Sequence, residues 1–198
     1  MTQPSQVISS RQQIRQTIRQ RRRALTPEQQ SQFAVQAAAR MMAYPPVVMA
    51  HTVALFLSFD GELDTQPLID QLWRAGKKVY LPVLHPFSPG NLLFLHYHPH
   101  SELLVNRLRI YEPKLDVRDV LPLAELDVLI TPLVAFDEQG QRLGMGGGFY
   151  DRTLQNWQQH GFQPVGYAHD CQGVAALPVE KWDIPLPAVV TPAKVWCW

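Results

Sequence analysis

Residues 52–59 read TVALFLSF, apolar almost without interruption. A strand with one face in water alternates apolar and polar side chains, whereas a strand covered on both faces is apolar nearly throughout. The run therefore predicts a strand buried on both sides, which only a layered fold can provide. The segments after it suggest how it is connected. DTQPLIDQLWRAG (64–76) opens on a capping residue, Asp64 or Thr65, carries Leu68, Ile69, Leu72 and Trp73 as its apolar positions, and ends at Gly76, as an amphipathic helix does. KKVYLPVL (77–84) is a second apolar strand. Strand, helix and strand within about thirty residues make a βαβ unit, and that unit implies a parallel sheet with helices on its faces.

Other segments extend this α/β reading. LDVLITPLVAF (126–136), PVGYAHD (164–170) and AVVT (188–191) read as further core strands, and NLLFLHYH (91–98) as a strand whose partner the sequence does not identify. Residues 99–125 read as irregular, and YDRTLQNWQQH (150–160) as a helix with Leu154 and Trp157 on one side. Near the amino terminus, RQQIRQTIRQRRRAL (11–25) has a thin apolar stripe of Ile14, Ile18 and Leu25 amid arginines, the pattern of a helix with one buried seam. Thr26, Pro27 and Gln29 form a capping box that starts a second helix, which Phe33, Ala37 and Met41 carry as far as the YPP at 44–46. No repeat or long linker divides the chain. Residues 11–198 are expected to form one domain with a mainly parallel central sheet, after a disordered extension over 1–10.

Bulk properties narrow the function. A chain of 198 residues with 46% hydrophobic content can bury a substantial core, and a net charge of +1 supplies no global basic field for general nucleic-acid binding. No apolar run approaches a membrane span, and MTQPSQVISS lacks the apolar stretch of a secretory signal. Cys171 and Cys197 alone cannot make a metal cluster, and they suggest no oxidising compartment. His51, His85, His96, His98 and His100 show no helical ligand spacing.

RLGMGGGFYDR (142–152) holds the densest glycine cluster, between an expected strand and an expected helix. Ligands of open α/β sheets bind beyond the carboxyl ends of strands, and glycines let consecutive amides approach a phosphate closely. The spacing fits neither the GxxxxGK[ST] loop nor the GxGxxG fingerprint. A mobile surface turn and an anion-binding loop both remain open on spacing alone. Arg142 and Asp151 at its flanks suit a phosphate and a magnesium ion.

Preceded by DVLITPLVAFDEQG, this segment resembles the signature of the 5-formyltetrahydrofolate cyclo-ligase (methenyltetrahydrofolate synthetase) family, close to RLGxGxGYYDR after a buried strand. The likeness continues through nearly the whole chain after residue 10. RQQIRQTIRQRRRAL is similar to the family's amino-terminal KxxLR…R helix, FLSFDGELDT to its folate-pocket strand and turn, and EKWDIPL to its late acidic turn. The resemblance implies a three-layer α/β fold similar to the NagB/RpiA/CoA-transferase group, in a cytoplasmic monomer. It also implies cyclisation of 5-formyltetrahydrofolate, free or polyglutamylated, to 5,10-methenyltetrahydrofolate with MgATP as co-substrate, releasing ADP and phosphate.

By the same resemblance, Arg11, Arg15, Arg142, Leu143, Gly144, Met145, Gly146, Gly147, Gly148, Phe149 and Tyr150 match ATP-binding positions. Leu57, Phe59, Glu62 and Tyr150 match the folate site; Glu62, Tyr150 and Arg142 are the implied catalytic groups; Asp151 and Asp183 match magnesium ligands. Three positions depart from the family: Arg11 stands for lysine, Gly147 for a basic residue in some members, and Phe149 for the commoner tyrosine. Plain structural roles compete at several of these positions. Leu57 and Phe59 suit a core, Asp151 a helix start, Asp183 a turn, and the arginine-rich helix a solvated basic face or RNA-binding arm. Glu62 could hold the pterin N–H groups or orient the 10-nitrogen. A sugar-phosphate or coenzyme A-ester enzyme of similar fold and a non-catalytic folate or nucleic-acid binder are the alternative readings.

Overall fold

The computed structural model describes residues 4–198, with side chains described from Ser10 onward. The first half contains α1 (Pro4–Arg23), α2 (Pro27–Ala43), α3 (Pro45–Met49), β1 (Thr52–Ala54), α4 (Gln66–Arg74), β2 (Lys78–Leu84) and β3 (Leu92–Tyr97). Short strands follow: β4 (Leu103–Val105), β5 (Tyr111–Pro113), β6 (Val120–Leu121), β7 (Val128–Thr131), β8 (Ala135–Phe136) and β9 (Arg142–Leu143). The chain closes with α5 (Phe149–Leu154), α6 (Trp157–His160), β10 (Gln163–Tyr167), β11 (Ala188–Val190) and β12 (Val195–Cys197). Of the segment expected to be disordered, 1–3 lie outside the described residues, and α1 takes in the backbone from Pro4.

The main sheet has the order β12-β11-β10-β7-β1-β2-β3-β6. Its five central strands, β11 to β2, are parallel. β12, β3 and β6 add antiparallel edges, and β3 finds in β2 the partner that its sequence did not reveal. Alternate residues of each strand enter opposite cores. Val53, Val79, Val128 and Val165 pack with Ala37, Met41, Leu68 and Leu72 of α2 and α4. Ala54, Tyr80 and Leu129 pack with Leu154 and Phe162 on the other face. Both faces are covered, which is why TVALFLSF shows no polar alternation. The capping box of Thr26 and Gln29 forms as read, with both hydrogen bonds made.

Several elements differ from the expectation. In the run 52–59 only Thr52–Ala54 is a strand. Leu55 N–H still donates to Tyr80 O at 3.0 Å, but Phe56 O accepts from Thr65 Oγ1 at 2.7 Å, and the chain turns at Asp60 and Gly61 with φ of 54° and 75°. The run over 126–136 breaks at Pro132, which has no N–H for a ladder, and β8 then pairs with β9. The helix over 150–160 splits into α5 and α6 at Asn156, whose φ is 58°. Residues 99–125 are not wholly irregular; they hold the β4–β5 hairpin and the edge strand β6. No described helix is long and apolar enough to cross a membrane.

The arginines of α1 are largely paired and are not a solvated face. Ile18, 1% exposed, seats the helix against Val134, Ala135, Leu143 and Leu177. One turn on, the fully buried Arg22 donates from Nε to Asp60 O at 2.9 Å and from Nη2 to Asp60 Oδ2 at 3.4 Å. Arg19 Nε donates to the same oxygen at 2.8 Å, and Arg23 pairs with Oδ1. Removing one partner of a buried charge pair leaves the other uncompensated. Asp60→Ala is therefore expected to lower the unfolding free energy by about 3 kcal/mol, measured by urea denaturation. A change within about 0.5 kcal/mol would show that the turn is held by other contacts.

Candidate functional site

From β1 the chain passes to β2 on one side of the sheet and later returns to β7 on the other. The carboxyl ends of β1 and β7 therefore flank a topological switch point, where open α/β sheets leave a crevice. A cavity of about 620 Å³ opens there. It is lined by the loop after β1, by the end of β2, by the β4–β5 hairpin and by the glycine segment after β9. It brings together all the site residues expected from the sequence except Leu143 and Asp183.

Leu143 is buried beside Ile18, and its carbonyl accepts from Val134 N–H at 2.8 Å. Asp183 lies just behind the lining, held by Arg11. Arg11 Nη1 and Nη2 donate to its two carboxylate oxygens at 2.6 and 3.1 Å, and Glu180 N–H donates to Oδ2 at 2.8 Å. Arg11 Nη1 also reaches Pro178 O at 3.0 Å, so the two ends of the chain meet at the rim.

The anion-attracting charge comes from side chains. The helix expected after the glycines, α5, has only six residues, too short for a strong dipole. Arg15 Nε donates to Gly144 O at 2.8 Å, leaving its guanidinium over Gly146, whose φ is 103°. Arg142 is buried, donates to Pro132 O at 3.2 Å, contacts Asp151 Oδ1 at 3.3 Å, and lies 5.8 Å from the Tyr150 ring centre. Arg152, which the sequence reading passed over, clamps the loop by donating to Gly147 O at 3.0 Å and Gly90 O at 3.1 Å. Gly148 caps α5 at φ 71°, a conformation that disfavours a side chain.

The opposite side of the cavity is apolar with two buried polar groups. Glu62, 8% exposed, accepts from Phe59 N–H at 3.0 Å through Oε2. Burial pushes its carboxyl up to about 7, against the Phe59 N–H bond and the charge of Arg22. The Tyr150 hydroxyl is buried with no hydrogen-bond partner among the described residues. Burial and the charge of Glu62 raise its pKa well above the usual phenol value, so it stays a neutral donor. Behind Glu62's turn lies His169, which sequence reading gave no role. It is buried, packs edge-on to Phe33, and has both ring nitrogens unpartnered among the described residues. Burial pushes its imidazole down to about 4. Among the described residues no group of three or more His, Cys, Asp and Glu side chains is placed to hold a metal ion.

The sequence places this arrangement among known proteins. The model of the 5-formyltetrahydrofolate cyclo-ligase family matches residues 7–192. A 5-formyltetrahydrofolate cyclo-ligase of Escherichia coli K12 is 83% identical over 91% of this chain and 100% of its own length. The Haemophilus influenzae protein of the same name is 55% identical over 89% of this chain and 94% of its own. In three dimensions, the chain resembles the 5,10-methenyltetrahydrofolate synthetase of Aquifex aeolicus with a TM-score of 0.81, at 27% identity, covering 94% and 92% of the two chains.

The two buried titratable groups predict opposing pH dependences. Glu62's pKa is raised, so from pH 4.5 to 7 the unfolded chain loses a proton that the fold keeps, and stability falls as pH rises. His169's pKa is lowered, so from pH 6.5 down to 4 the unfolded chain takes up a proton that the fold refuses, and stability falls as pH falls. Glu62→Gln removes only the first slope. The variant is expected to exceed the parent by up to about 3 kcal/mol at pH 8 and to match it near pH 4. Urea unfolding from pH 4 to 8 reads this out, and a constant offset at every pH would refute it.

Proposed function

The chain belongs to the 5-formyltetrahydrofolate cyclo-ligase family, and from that premise we propose that it converts 5-formyltetrahydrofolate to 5,10-methenyltetrahydrofolate at the expense of ATP. The observation that carries this reading is the single cavity described above. Arginines and a glycine loop line one side, and on the other stand a protonatable carboxyl and an unpartnered tyrosine hydroxyl.

The chemistry calls for both sides. A formamide oxygen leaves poorly, so the γ-phosphoryl group of ATP is transferred to the formyl oxygen and ADP departs. The 10-nitrogen then attacks the formyl carbon, its proton is lost, and the C–O bond breaks to release phosphate. Phosphoryl transfer depends on positioning and charge neutralisation more than on covalent help from the protein. Arg15, Arg142 and the backbone from Gly144 to Gly148 supply those beside Met145 and Phe149, and Arg11 approaches from the rim. Leu57 and Phe59 offer apolar surface to the pterin. Tyr150 can donate to the formyl oxygen. Glu62, with a pKa near neutrality, can accept pterin N–H groups or take the 10-nitrogen's proton.

Magnesium fits this donor set when it arrives with the nucleotide, because it keeps several waters and takes one or two protein carboxylates beside the phosphates. Asp151 is available for it, tied only by the 3.3 Å contact to Arg142. Asp183 can join only by exchanging Arg11 for the ion. The ion neutralises phosphate charge.

Incubation with 5-formyltetrahydrofolate and MgATP is expected to raise the near-ultraviolet absorbance of the methenyl product; no rise with folded protein would overturn the reading. Asp151→Asn is expected to weaken MgATP binding by about tenfold while sparing folate, and Glu62→Gln to do the reverse. Separate titrations with each ligand check this, and equal loss of both would count against the division of roles.

A further inference from the structure

We propose that Glu112 sets the position of the folate-side wall of the cavity by tying the β4–β5 hairpin to the end of β2, a positioning role that rests on the folate reading above. The hairpin lines the cavity with Leu108, Ile110 and Tyr111, on its turn and second strand, and with the polar Asn106 and Glu112 between them and the sheet. Each strand of the hairpin has three residues, and a two-stranded ribbon of that size has little stability of its own. The base of the hairpin is anchored by apolar contacts, Leu103 against the core beside Trp73 and Tyr97 and the buried Pro113. Leu104, Val105 and Tyr111 are exposed, so toward the turn the hairpin relies on polar ties.

Glu112 supplies the central one. Its Oε2 accepts from Leu84 N–H at 3.1 Å and from Asn106 Nδ2 at 2.9 Å. Leu84 is the last residue of β2, and its side chain also lines the cavity. Asn106 organises the hairpin turn through Oδ1, which accepts from Leu108 N–H at 2.8 Å and Ile110 N–H at 3.2 Å. One carboxylate oxygen thus connects a strand of the main sheet to the turn that presents Leu108 and Ile110. The glycine loop and its arginines take no part in this network. Loss of the tie should therefore loosen the folate side and leave the nucleotide side as it is.

The test uses Glu112→Ala and Glu112→Gln in the full chain, titrated separately with 5-formyltetrahydrofolate and with MgATP, alongside amide hydrogen exchange. The alanine variant is expected to bind 5-formyltetrahydrofolate about tenfold more weakly, to keep MgATP affinity within about twofold, and to exchange the Leu84 and Ile110 amides faster. The glutamine variant keeps an oxygen that can accept both bonds, and is expected to restore folate affinity to within about threefold of the parent. An unchanged folate affinity in the alanine variant overturns the proposal, as does equal weakening of both ligands. A glutamine variant as damaged as alanine overturns it too, since the charge would then act on the substrate directly. If the parent fails to bind 5-formyltetrahydrofolate at all, the folate reading falls. Amide exchange then judges the tie alone: unchanged exchange at Leu84 and Ile110 overturns it, and faster exchange supports it.

Discussion

The buried guanidinium of Arg22 on Asp60 is the contact on which the site's geometry depends. Asp60 sits at φ 54°, and the turn it makes with Gly61 carries Phe59 and Glu62 to the cavity. A non-glycine residue in that conformation needs outside support. Three arginines of α1 supply it through the carboxylate, and Arg22 adds a bond to the carbonyl. Burying a guanidinium is costly unless its hydrogen bonds are made, so the pair is better understood as a directional fixture than as a source of net stability. The same helix also brings Arg15 to Gly144. One element therefore sets the distance between the carboxyl side of the cavity and the glycine loop.

That dependence gives the chain's ends a structural purpose. Arg11 near the start of the chain holds Asp183 near its end, and both lie at the rim of a crevice set by the crossover between β1 and β7. The parallel core supplies a rigid floor. The irregular segments above it are held by single polar contacts: Thr65 to Phe56, Arg152 to Gly90 and Gly147, and Glu112 to Leu84.

Electrostatics follow from the same layout. The glycine-loop side is cationic and partly desolvated, with Arg142 buried against Asp151. The opposite side is apolar; burial lifts the Glu62 carboxyl to about 7, so it gains and loses a proton near neutrality, and keeps the Tyr150 hydroxyl protonated.

The layered α/β architecture was legible in TVALFLSF and the helix and strand after it, because strands covered on both faces need uninterrupted apolar residues. The capping box at Thr26 was legible too, since it depends on neighbours in sequence. The glycine loop was expected directly after a core strand, but Pro132 ends β7 and the small β8–β9 hairpin stands between them. Family resemblance named half of the residues that line the cavity. Other features were not legible. TVALFLSF does not announce that pairing stops at Ala54, because apolar residues serve a core and a cavity wall equally well. The arginines of α1 gave no sign of their common partner about forty residues away. Glu112 lay in a stretch without periodicity, and His169 in an expected strand. The sequence by itself determined which faces must be buried and where the backbone must bend, since those follow from local patterning. Only the tertiary structure decided which charges pair and which polar groups are left unpartnered in the cavity, because those are set by contacts between segments far apart along the chain.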